Sequence, residues 1–92
     1  MKVTVKSFAT FRDVMDSMTT ADLPEGSTVR ELIDLLDRRF PGIKKEIITP
    51  KGNVADYTNI LVNGRNIAFL EGLNTIVSEN DTVSLFPPAG GG

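Results

Sequence analysis

The chain has 92 residues, of which 40% are hydrophobic, and carries 10 basic and 12 acidic side chains for a formal charge of −2. It contains no cysteine and no histidine, which excludes disulfides, thiol nucleophiles, a serine–histidine pair and zinc sites of ordinary type. A chain this short buries only about 60–65% of its unfolded surface, so one packed domain is expected, with little room for a deep enclosed active site beside the core.

Residues 2–8 alternate, with Lys2, Thr4 and Lys6 on one side and Val3 and Val5 on the other, the pattern of a half-buried strand. Residues 11–15 fit a short helical turn. Residues 17–23 read as a second strand that pairs with the first across a loop longer than usual, and Pro24-Glu25-Gly26 closes it with a turn. Thr28-Val29-Arg30-Glu31 then fits a capping box, in which Thr28 caps a helix and Glu31 reaches back to the cap's backbone N–H. Val29, Leu32, Ile33, Leu36 and Phe40 fall on one helical face, and Pro41-Gly42 stops the helix.

Ile43, Ile47 and Ile48 predict a further short helical turn, and Pro50-Lys51-Gly52-Asn53 a loop. Ile60-Leu61-Val62 followed by Asn63-Gly64 is a hairpin signal, because both turn positions tolerate positive φ. The returning strand is expected to begin at Ile67 and Ala68, with Leu73 and Ile76 plugging the core. Asn80-Asp81 marks a turn, and Thr82–Phe86 alternates as the last strand. The order of elements predicts an α+β fold in which one main helix crosses a face of a mixed sheet. A body over residues 1–86 and a tail over 87–92 make up the chain.

Charge and hydropathy exclude several partners. The basic doublets Arg38-Arg39 and Lys44-Lys45 form no stripe, so no nucleic acid is expected. No apolar run approaches the roughly 18–20 residues of a membrane span, so no membrane partner is expected either. The opening strand lacks the apolar block of a signal peptide, and a cytoplasmic location is the expectation that follows. No phosphate-binding loop, paired catalytic carboxylates or metal-ligand cluster stands out.

The tail Pro87-Pro88-Ala89-Gly90-Gly91-Gly92 is different. Two prolines favour an extended path and cannot continue a ladder. The glycines behind them can thread a narrow channel and leave a terminal carbonyl open to attack. Anchored by a strand, such an arm projects the Gly92 carboxylate up to about 20 Å from Pro87. A carboxylate becomes a useful electrophile once it is activated, for example as an acyl-adenylate.

The opening Lys2–Arg12 with its Phe8-Ala9-x-x-Arg12 segment, the helix start Thr28-Val29-x-Glu31-Leu32, the hairpin Ile60–Gly64 and above all Asn80-Asp81-x-Val83-x-Leu85-Phe86-Pro87-Pro88-Ala89-Gly90-Gly91-Gly92 resemble the MoaD/ThiS family of ubiquitin-like sulfur carriers. The proline pair and the overall length resemble most the small subunit of molybdopterin synthase (MoaD), or an archaeal-type modifier of shared ancestry. Residues 43–58 are long for the thiamine branch, and Gly90 makes three glycines where the family usually has two. The resemblance implies a β-grasp fold of four to five strands on one main helix. It also implies a carrier with no catalytic side chains, no bound cofactor and no metal. A MoeB/ThiF-like enzyme would adenylate Gly92 with ATP and magnesium, sulfur would replace AMP, and the thiocarboxylate would serve a MoaE-like large subunit in molybdenum cofactor biosynthesis. Thiamine biosynthesis, conjugation of Gly92 to lysines of target proteins, and an interaction module with an inert tail are the alternatives. Phe8, Phe86, Pro87, Pro88, Ala89, Gly90 and Gly91 are the expected partner-binding residues. Phe8 and Phe86 belong in that set because alternation turns both away from the helix, and neighbouring strands would bring them together.

Overall fold

The computed structural model describes residues 1–88. The strands are β1 (Lys2–Ser7), β2 (Met18–Asp22), β3 (Asn59–Val62), β4 (Arg65–Asn66) and β5 (Thr82–Phe86), and the helices are α1 (Val29–Arg39) and α2 (Ile43–Ile47). Short 3-10 turns occupy Ala9–Asp13, Ile67–Phe69 and Gly72–Asn74. The sheet order is β2-β1-β5-β3-β4. β1 and β5 run parallel at the centre, and every other pairing is antiparallel. This mixed five-stranded sheet on one main helix is the β-grasp arrangement that the resemblance implies.

Alternation decides which face of the sheet is dry. Val3, Val5, Val83, Leu85, Ile60 and Val62 all turn to one side and are buried, because successive side chains of a strand point to opposite faces. Across that face lies α1, and Val29, Leu32, Ile33 and Leu36 are each at 0% exposure. Its start is the capping box read from the sequence: Thr28 Oγ1 accepts from the Glu31 N–H at 3.3 Å, and Glu31 Oε1 accepts from the Thr28 N–H at 3.0 Å. At its far end Gly42 takes φ 105°, and Asp37 Oδ1 accepts from the N–H groups of Gly42 and Lys44, which holds α2 against α1.

Two sequence expectations are corrected here. The strand returning from the Asn63-Gly64 turn is Arg65–Asn66, and Ile67 and Ala68 lie beyond it in a 3-10 turn. Asn66 causes the break, because its Oδ1 accepts from the Ala68 N–H at 2.9 Å and so caps a tight turn in place of a longer ladder. Ile76 does not plug the core; it is 62% exposed, whereas Val77 is 1% exposed and Leu73 is buried as expected. Residues 75–77 run extended beside the start of α1, where Val29 N–H donates to Thr75 O and Val77 N–H to Ser27 O. Thr75 and Val77 therefore face inward, and period-two geometry turns Ile76 out. The loop between β1 and β2 contributes two core residues that no periodicity marked, Phe11 and Met15, each at 3% exposure.

Candidate functional site

The site is the place where the tail leaves the body. β5 is held on both sides, by β1 through Thr4↔Thr82 to Ser7↔Leu85 and by β3 through Asn59↔Phe86 to Val62↔Val83. The Phe8 N–H extends the ladder by donating to Leu85 O at 3.1 Å. Pro87 and Pro88 follow Phe86 directly, Pro87 half-buried and Pro88 exposed. Ala89, Gly90, Gly91 and Gly92 lie outside the described residues.

Phe8 and Phe86 turn away from α1, as their alternation requires, and their rings stack with centroids 4.3 Å apart and 8° between planes. The Arg12 guanidinium lies 5.5 Å from the centre of the Phe8 ring on the cation–π side, and its Nε donates to Ser7 O at 3.2 Å. Ser7 is itself locked, with its hydroxyl donating to Asp16 O at 2.8 Å. The aromatic pair is therefore fixed by backbone ladders below and by a tethered cation beside it. On the next rung of the same face, register places Met18, Lys6, Ser84 and Leu61 side by side. Met18 is 60% exposed and Leu61 half-buried, so the stack forms the corner of a mixed apolar and basic surface.

Sequence reasoning named Phe8, Phe86, Pro87 and Pro88, and the fold brings these four to one end of the sheet. Arg12, Met18 and Leu61 were not named as site residues. Leu61 carried a signal, since alternation sets it opposite Ile60 and Val62 in β3. Arg12 stands in the Phe8-Ala9-x-x-Arg12 segment, and Met18 joins the surface only through strand register.

A concavity of about 660 Å³, open to solvent, lies on the helical side between α1, α2 and the following loop, where Arg30, Lys44, Lys45 and Ile48 contribute to it. Among the described residues no three histidine, cysteine or carboxylate groups gather as a metal site. Among them, too, no helix is long and apolar enough to cross a membrane. The corner itself is a stacked pair of half-buried rings on the outer face of the sheet, beside the strand that leads into the tail.

The ThiS family model matches residues 5–92, which reaches through the tail to the last glycine. The chain belongs to the ThiS family. Small archaeal modifier protein 3 of Haloferax volcanii is 32% identical to it over 93 residues, covering 100% of this chain and 100% of that protein. The molybdopterin synthase sulfur carrier subunit of Phaeosphaeria nodorum is 31% identical over 74 residues, covering 80% of this chain and 74% of that protein. The crystal structure of SAMP1 from Haloferax volcanii superposes with a TM-score of 0.86 at 26% identity, with 100% of both chains covered. The fold is thus the ubiquitin-like β-grasp, and the ThiS family relatives are named as carriers and modifiers.

Proposed function

We propose that this ThiS family member works through its Gly92 carboxylate, which an ATP- and magnesium-dependent activating enzyme adenylates with release of pyrophosphate, and that a sulfide-level sulfur donor then displaces AMP to leave a thiocarboxylate. The observation that carries this reading is the anchoring of the arm. The strand that ends at Phe86 is the middle one of five, paired on both sides, and two prolines extend it into a glycine run. A partner can grip the body at a rigid corner while the arm threads its active site. The chain itself supplies position and a carboxylate; acid, base and nucleotide chemistry come from the partner.

The sulfur acceptor in this reading is a pterin precursor held by a MoaE-like large subunit, in keeping with the likeness to a molybdopterin synthase carrier subunit. A second reading, ligation of Gly92 to target lysines, is favoured by the end-to-end likeness to an archaeal modifier protein. Both readings share the adenylation step and diverge after it. Phe8 and Phe86 hold the activating enzyme, and Pro87 through Gly91 line its channel.

Intact-mass analysis of the protein isolated from its native cell tests both. An exchange of oxygen for sulfur at the terminus is expected for the carrier, and lysine-linked adducts through Gly92 for the modifier. An unmodified carboxylate that also fails to form an adenylate with the activating enzyme would overturn the proposal.

A further inference from the structure

Strain gathers at the end of the sheet where the arm leaves. Among the described residues four other than glycine hold positive φ: Ala9, Tyr57, Asn63 and Asn80. The two asparagines sit at the start of β5, and asparagine tolerates this region. Ala9 and Tyr57 do not share that tolerance, and both sit at the opposite end. Ala9 follows β1, which runs parallel to β5, and Tyr57 lies just before β3, which runs antiparallel to it. They therefore flank Phe86 and Pro87 from the two neighbouring strands.

On the β3 side the strain coincides with an unpaired polar group. Thr58 is 8% exposed, and its hydroxyl has no hydrogen-bond partner among the described residues. A buried hydroxyl left unpaired destabilises the free protein. Next to it Tyr57 is 83% exposed in its left-handed conformation. Both residues, with Asp56, line an open groove of about 290 Å³ whose other walls are apolar or amide, Ile67 and Ala68 among them. No lysine or arginine lines it. Among the described residues Asp56 pairs with no cation. Unfavourable conformations and unpaired groups persist where function needs them.

We infer that this groove is a second docking pocket for the enzyme that takes the tail, and that it receives a lysine or arginine side chain of that enzyme. The inference rests on the tail reading above. The stem of the incoming side chain lies along Ile67 and Ala68, its charge meets the Asp56 carboxylate, and the exposed Tyr57 ring offers a cation–π face. One χ1 step of Thr58 carries its hydroxyl to another staggered position and presents the oxygen to the groove as an acceptor. The Thr58 hydroxyl, which has no partner among the described residues, is then satisfied in the complex.

The test is titration calorimetry of the full chain with the adenylating enzyme purified from the same organism, alongside melting curves. Asp56→Lys is expected to weaken binding about tenfold or more, because it sets like charges together. Thr58→Val is expected to weaken it about two- to tenfold, the worth of one hydrogen bond, while melting at the same temperature as the wild type or higher. Phe86→Ala and removal of Gly91-Gly92 report on the tail reading independently. Wild-type affinity in Asp56→Lys, with binding still weakened in Phe86→Ala, overturns the groove and leaves the tail reading intact. Tighter binding by Asp56→Lys points to an acidic occupant and also overturns it. Unchanged affinity in all four variants overturns both.

Discussion

The two ends of β5 are built by different rules. At its start no buried side-chain polar atom among the described residues lacks a partner. Asp81 accepts from the Asn63 side chain and from the Ser78 N–H, both at 2.8 Å, and Asn63 Oδ1 accepts from the Thr82 N–H at 2.9 Å. The Lys2 N–H donates to Glu79, and the Asn80 N–H donates to Lys2 O. Left-handed positions there are filled by Asn63, Gly64 and Asn80, which suit them. At the other end the left-handed positions fall to Ala9 and Tyr57, the Thr58 hydroxyl has no partner among the described residues, and two phenylalanines stack on the outer face. One end is arranged for stability and the other gives up stability around the root of the tail, which is the distribution expected when only one end meets a partner.

That contrast can be tested by substitution. Leu36→Ala sets the scale for the core that both ends share. It should cost about 2–5 kcal/mol in a denaturant melt, because Leu36 is fully buried and truncation leaves a cavity. A melt unchanged by it would mean that the helical face does not carry the fold. Phe86→Ala should separate function from stability, with affinity for the activating enzyme falling by about 1–2 kcal/mol and the melting curve changing little. A collapsed melt would move Phe86 into the core and blur the distinction between the ends.

Smaller effects refine the comparison. Asp81→Ala removes two hydrogen bonds at the half-exposed start of β5 and should cost about 1 kcal/mol of stability with no change in partner affinity. If affinity falls instead, the start of β5 belongs to the docking surface as well. Ala9→Gly should act with the opposite sign. Left-handed backbone costs alanine about 1–2 kcal/mol, and glycine returns part of that as chain entropy, so a gain of up to about 1 kcal/mol is expected in the melt. A loss of stability would mean that Ala9 is not strained.

Local chemistry was enough to read much of this protein from its residues. The capping box at Thr28 and Glu31, the apolar face of α1, the Asn63-Gly64 turn, and the parity of Val3, Val5, Val83 and Leu85 each depend on neighbours within a few positions. The same parity placed Phe8 and Phe86 on the outer face. Their contact needed only the further step of setting the first strand beside the last. The proline–glycine tail was legible because those residue types restrict or free the backbone by themselves.

What the residues alone did not determine depends on groups far apart in the chain. Ile76 and Val77 are equally apolar neighbours, and only the pairing of their segment with the start of α1 decides which one is buried. Ile67 continues a β-rich run by composition, but the Asn66 cap turns it out of the ladder. Phe11 and Met15 enter the core because a loop folds under the sheet, which leaves no period in the sequence. The unpaired hydroxyl of Thr58 and the strain at Ala9 and Tyr57 are invisible in composition, since neither exists until three strands meet at one end. Sequence determined the faces of the elements and the character of the tail through short-range sterics and hydrogen bonding. Tertiary structure decided what surrounds the root of that tail, because burial, register and unsatisfied polarity are properties of packed neighbours and not of the chain.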